Sequence, residues 1–218
     1  VAVGGVRSGP GAAAQDGGST VRVVHAVSDI GPIDFYIDGR LAVVGAAFAS
    51  ATDPLSLAGG DRRITVVPSG AGFEAALVDT VLTVAPGAAE EVAIVGSAAG
   101  VLAVLFPVDA VALDADRARV RVVHASPDAG PIDAAFTVGD AIFPTVDYLT
   151  ATEYAEVAPG AFPIDLIATD TAAVVATLPD LVLGAGEVAD VYLIGQAADA
   201  SIQPLVVRTE VGAAPLVG

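Results

Sequence analysis

Two histidines are the only imidazoles in this chain of 218 residues, and each sits in the same sentence of sequence. His25 lies in VRVVHAVSDIGPID and His124 in VRVVHASPDAGPID, two segments that match at eleven of fourteen positions and start 99 residues apart. Each histidine is followed by one Asp before a Gly-Pro step and one after it: Asp29 and Asp34, then Asp128 and Asp133. An imidazole beside carboxylates can act as a general base or hold a metal. One imidazole per unit is a poor ligand set, however, and a metal needs several more donors. Structural work suits the same residues better. A strand-end histidine can donate to a carbonyl in the next turn, and Asp caps tight turns by accepting backbone N–H groups. The six residues are therefore expected to shape a turn, with no catalytic, cofactor-binding or metal role.

Other chemistries find less support. Ser126 lies two residues after His124, but the first copy has Val27 there, and no G-x-S-x-G elbow occurs. Paired carboxylates for glycoside cleavage work in a cleft with sugar-stacking aromatics, and the chain has four Tyr, seven Phe and no Trp. Asp109, Asp114 and Asp116 cluster near mid-chain. They lack the glycine and distal glutamate of a calcium loop and are expected to be a solvated acidic linker. The expectation is no enzyme and no cofactor.

A domain-sized repeat means one folding unit was duplicated. The copies also act as an internal control: what both keep serves the unit, and what one alone carries need not. Within each copy apolar residues alternate, as in Ile33, Phe35 and Ile37, or Ile132, Ala134, Phe136 and Val138. Turn signals such as Asp38-Gly39, Pro86-Gly87 and Pro159-Gly160 break the pattern every 8–12 residues or so. Strands are expected at 21–25, 33–37, 41–48, 62–67, 75–84, 91–95 and 101–108, and in the second copy at 162–168, 173–183, 188–194 and 201–207. Short strands at this spacing predict an all-β chain of two tandem immunoglobulin-like β-sandwich domains, with a small barrel as the alternative. The organisation read from the sequence is a flexible N-terminal segment (1–19), repeat 1 (20–110), a linker (111–118), repeat 2 (119–209) and a C-terminal tail (210–218). The short linker predicts domains lying end to end.

Nine basic residues, all Arg, face 26 acidic ones, a net charge of −17. That field disfavours nucleic acid and anionic lipid as partners. The chain has no Cys, which removes disulfides and thiol chemistry. Residues 92–108 carry no charge, close to a membrane span in length. Their Gly96-Ser97-Ala98-Ala99-Gly100 centre is a turn signal, and the matching stretch of the second copy holds Gln196, Asp199 and Gln203. A hairpin is expected, with no membrane insertion. A start on Val1 rather than Met predicts removal of a secretory signal peptide and an extracellular or cell-surface location.

The phrase VRVVHASPDAGPID, with IDFYIDG after the first copy, resembles the family known as domain of unknown function 4397. Its members carry a strand, a His-Ala-Ser-Pro-Asp-Ala-Pro-type turn and an Asp-Val-Tyr-Val-Asp-Gly-type strand. His124, Ala125, Ser126, Pro127 and Asp128 carry the match best; the first copy departs at Val27 and Ser28, and an extra Gly precedes Pro32 and Pro131. The resemblance implies tandem β-domains on secreted or surface-anchored bacterial and archaeal proteins, and brings no catalytic residues.

Two functional expectations follow. In the first, the chain is a secreted structural subunit that self-assembles head to tail into an extracellular filament. Alternating Val1, Val3 and Val6 would add as a donor strand to an open sheet edge of the next copy. In the second, it is a monomeric cell-surface adhesion or binding module.

Overall fold

The computed structural model describes residues 18–136 and 142–211. Among them every regular element is a strand except one single-turn 3₁₀ helix at Phe73–Ala75. The first half contains β1 (Ser19–His25), β2 (Ile33–Ile37), β3 (Arg40–Ala46), β4 (Ser50–Ala51), β5 (Leu55–Leu57), β6 (Gly60–Pro68), β7 (Val78–Val84), β8 (Ala89–Ser97) and β9 (Gly100–Val108). The second half contains β10 (Ala118–His124), β11 (Ile132–Phe136), β12 (Ile142–Val146), β13 (Ala155–Val157), β14 (Gly160–Ala168), β15 (Val174–Leu183), β16 (Glu187–Ile194) and β17 (Gln203–Glu210).

These strands form four sheets. One has the order β4-β1-β8-β9, with β5 also pairing β1, and a second the order β3-β2-β6-β7. The second half repeats them as β13-β10-β16-β17 and β12-β11-β14-β15. The pairing of β1 with β8 is parallel, as is that of β10 with β16; the other pairings are antiparallel. Period-two alternation places one set of side chains between the sheets of each half. Val21, Val23, Phe35, Val66, Val92 and Ile94 share one core, and Val120, Val122, Ile132, Leu166, Val191 and Leu193 share the other.

A third core joins the halves. Val24, Ala26, Ala93, Val95 and Phe106 from the first pack against Val123, Ala125, Tyr192, Ile194 and Val207 from the second. The β1-β8-β9 sheet thus faces the β10-β16-β17 sheet, and each buries apolar side chains from both of its faces. This corrects the end-to-end arrangement expected from the short linker: the repeats meet through sheet faces, because residues alternate between two apolar environments along the same strands. It also accounts for the uncharged stretch at 92–108. A strand covered on both faces needs a continuous apolar run rather than an alternating one. The stretch is the β8–β9 hairpin, and no helix among the described residues is long and apolar enough to cross a membrane.

Smaller differences have local causes. The strand expected over 41–48 ends at Ala46, and the chain turns at Ala49 (φ +60°) into β4. The one expected over 75–84 starts at Val78, after the 3₁₀ turn. The two- and three-residue edge strands β4, β5 and β13 are too short to show a period.

Candidate functional site

Each histidine ends a first strand and turns inward. His25 and His124 are both fully buried. The Nδ1 of His25 accepts from the Val27 N–H (3.3 Å), and that of His124 from the Ser126 N–H (3.3 Å). Nε2 therefore carries the proton and donates to the Gly31 carbonyl (2.9 Å) in one copy and the Gly130 carbonyl (2.7 Å) in the other. Burial holds both imidazoles below their ordinary pKa, the carbonyl bonds opposing it. The aspartates work outward from the same turns. Asp34 accepts from the N–H groups of Gly45 (2.7 Å) and Gly70 (2.9 Å), and Asp133 from that of Thr145 (2.8 Å). Asp29 accepts from Ala98 N–H (2.9 Å), and Asp128 from those of Ala197 (2.7 Å) and Ala198 (2.9 Å). Each histidine turn is thereby tied to neighbouring hairpins by backbone bonds.

Asp109, Asp114 and Asp116 do not converge. Asp109 pairs with Arg119 (3.1 Å) and Asp116 lies beside Arg117 (4.0 Å). No group of three His, Asp or Glu side chains able to hold a metal occurs among the described residues. Val1, Val3 and Val6 lie outside the described residues.

A concavity of about 700 Å³ opens at the seam between the repeats. The end of β9 supplies Phe106, and Asp109 follows it; β10 supplies Arg119 and Arg121; the stretch leading into β13 supplies Thr152, Glu153 and Tyr154, and β13 supplies Glu156. Arg119 stands in its wall with three partners: an ion pair to Asp109 (3.1 Å), two hydrogen bonds to Glu156 (2.9 and 3.1 Å) and one to the Val111 carbonyl (3.1 Å). Arg121 is buried deeper. Its Nε binds Asp190, and its guanidinium lies 4.5 Å from the centre of the Tyr154 ring. The Tyr154 hydroxyl donates to Asp190 as well (2.8 Å).

Behind this wall the cluster crosses into repeat 1. The Tyr192 hydroxyl donates to Glu91 (2.6 Å), a bond between repeats that share no nearby sequence. Glu91 is fully buried, and its Oε1 has no hydrogen-bond partner, as is true of Nη2 of Arg121. Burial pushes the Glu91 carboxyl up to about 8, and the Asp190 charge pushes it the same way; Tyr192, Arg121 and Arg22 pull against them. Burial likewise raises Asp190, against Arg121 and Tyr154. Burial thus favours the protonated form of Glu91 at neutral pH, beside the Arg121 cation.

The duplicate supplies a control for this site. Sheet register makes Arg22 the counterpart of Arg121, Glu91 of Asp190 and Ala93 of Tyr192, while Pro54, Thr20 and Ser56 stand for Tyr154, Arg119 and Glu156. The matching hollow, around Arg22, Pro54 and Glu91, encloses only about 30 Å³. What the copies share builds the sheet: Thr52 and Thr152 hold the same strand by identical 3.1 Å bonds. What repeat 2 alone carries opens the cleft. Sequence reasoning passed over Arg119, Arg121, Tyr154, Asp190 and Tyr192. For Arg119, Tyr154 and Tyr192 the signal was a charged or aromatic residue standing where the other copy has Thr20, Pro54 or Ala93; Arg121 and Asp190 are charged in both copies and differ from their counterparts only in surroundings.

The fold and site define an all-β protein of paired sheets with a polar cleft at the repeat junction. A model of the family described as Domain of unknown function (DUF4397) matches residues 19–135, more than half of the chain, and the chain belongs to that family. No curated protein matches it. Among solved structures, the CBM26 module CBMbc from Eubacterium rectale Amy13K, in complex with maltoheptaose, is 14% identical over 91% of this chain and 98% of that one, with a TM-score of 0.28. A structure described as α-glucan binding by a streptococcal virulence factor is 11% identical over 85% and 96%, with a TM-score of 0.26. Overlap this low carries no argument about fold or ligand.

Proposed function

We propose that the chain is a binding module, displayed outside the cell, that takes its ligand in the cleft between the repeats and performs no chemistry on it. The observation that carries this reading is the difference between the two equivalent hollows, one open and polar, the other closed. Each pair of sheets is taken as an immunoglobulin-like sandwich, so the two copies are one scaffold twice and the cleft is what the second copy adds. Both histidines are committed to backbone groups away from the cleft, which leaves it without an imidazole base.

The lining narrows the ligand. Arg119 and Arg121 are already matched by carboxylates, and Glu153 adds another, so an anion gains little there. A hydrophobic ligand would desolvate charged side chains. A neutral ligand bearing several hydroxyls can bond to carboxylates and guanidinium together. Thermal-shift titration with neutral sugars and polyols, amines and dicarboxylates tests this. The hydroxyl-rich compounds should raise Tm, and Arg119→Ala and Glu153→Gln should abolish the rise while leaving the unliganded protein folded. No shift from any class, or a shift untouched by both variants, ends the reading.

A filament subunit is the second reading, and one observation favours it. Among the described residues β3, β7, β9, β12, β15 and β17 each pair on one side only, which leaves edges that an extended segment can join. Val1, Val3 and Val6 would supply that segment, and the assembled mass would then grow with protein concentration.

A further inference from the structure

The outer sheet of repeat 1 carries a second hollow, of about 360 Å³, remote in sequence from the cleft and lined by the β2–β3 turn, β6, β7 and the 3₁₀ turn. Phe73 sits on that turn, none of whose residues is buried, and is 51% exposed. It leans on Tyr36 of β2, with ring centres 4.6 Å apart at 54°. An exposed phenyl on an otherwise solvated turn contributes little to folding. Beside the rings, Arg63 and Asp79 are joined by two bonds (2.8 and 2.5 Å) across the sheet, and Thr65 also reaches Asp79 (3.4 Å). Arg63 and Asp79 are 64% and 39% exposed, so their outer edges face solvent. Asp38, at the β2–β3 turn, accepts from the Arg63 backbone N–H (2.9 Å) and fixes where the pair stands.

Repeat 2 again serves as the control. Its register places Ala135 where repeat 1 has Tyr36, Asp165 for Thr65 and Thr177 for Asp79. The Thr–Asp link survives with its ends exchanged, Thr177 donating to Asp165 (2.8 Å). It is the part that holds the sheet. The aromatic pair and the exposed arginine are not kept: two residues before Asp165 stands Pro163, and Ala173 and its neighbours replace the Phe73 turn.

We infer that Tyr36, Phe73, Arg63 and Asp79 form a second binding site, one that takes a neutral sugar ring. A sugar ring presents C–H groups on its face and hydroxyls at its edge. The tilted rings offer an apolar, weakly negative surface to the face. The guanidinium and carboxylate offer a donor and an acceptor within 3 Å of each other, the spacing of adjacent hydroxyls. The pair neutralises itself, so it attracts no net ion. A purely apolar partner would have to strip water from it.

Native electrophoresis of the full chain through gels containing a soluble α-glucan, β-glucan, xylan or mannan tests the site. At least one gel should retard the protein. Phe73→Ala and Arg63→Ala should each weaken that retardation about tenfold, Phe73→Trp should keep or strengthen it, and all three should melt with the parent. Val182→Ala, exposed on β15 and outside both hollows, should leave it unchanged. No retardation in any gel, or retardation indifferent to Phe73→Ala and Arg63→Ala, overturns this site. Retardation lost in Arg119→Ala instead overturns it in favour of the cleft.

Discussion

Glu91 is an ionisable side chain held where ionisation is costly, and its position makes a pH prediction possible. Its folded-state pKa, about 8, lies above the ordinary carboxylate range. The folded protein therefore prefers the protonated form, and the associated stability is complete below about 4.5 and is lost as pH rises through 8. Asp190 shifts in the same direction. The buried histidines act with the opposite sign: their lowered pKa values destabilise the fold as pH falls below 6.5. The interval from pH 6.5 to 8 consequently sets the buried carboxyls apart from the histidines. Tm should fall across it, and Glu91→Gln, which keeps the shape and an acceptor for Tyr192, should flatten the slope. A slope of up to about 1.4 kcal/mol per pH unit is the ceiling for one group. Equal slopes in parent and variant would show that Glu91 is ionised throughout.

At the scale of the element, the β8–β9 hairpin is constrained from both sides, since the pair contributes to two cores. Their turn depends on Gly96, whose φ of +106° is open to glycine and whose missing Cβ would lie 2.2 Å from the Gly100 carbonyl oxygen. Gly96→Ala forces the hairpin to move and should cost on the order of 2–4 kcal/mol, read as a fall in Tm. Gly100→Ala meets nothing within 4 Å and should cost less than about 1 kcal/mol. If the two variants melt alike, the hairpin is not held in this geometry. Elements of this kind were legible where period two or a turn glycine marked them. The run at 92–108 was legible as a hairpin from its Gly96–Gly100 turn signal and its counterpart in the other copy rather than from a period, because β8 is buried along both faces and has none to read.

The two repeats form one body through their facing sheets. Residues 18–110 produced alone would expose Val24, Ala93, Val95 and Phe106, which are at most 5% exposed in the intact chain. Such a fragment should bind a hydrophobic dye or self-associate, whereas the full chain should melt in one cooperative step. Two separate transitions in the full chain, with a dye-silent fragment, would mean that the third core is not formed. Tyr192 is the residue that ties this scale to the first: its ring fills the third core and its hydroxyl reaches Glu91 in the other repeat.

The duplication, the all-β character and the turn-forming histidine and aspartate pattern were present in the sequence itself. They rest on local rules: strand period, turn chemistry, and a repeat compared with its own copy. The face-to-face union of the repeats, and with it the cleft, belonged to the tertiary structure. Whether an arginine such as Arg121 points to water or into a junction depends on what covers its sheet, and that cover comes from Tyr154 and from Phe106 of the other repeat. Substitutions between the copies marked Tyr154 and Tyr192 as different, but only the packing of one sheet on another gave that difference a place to act.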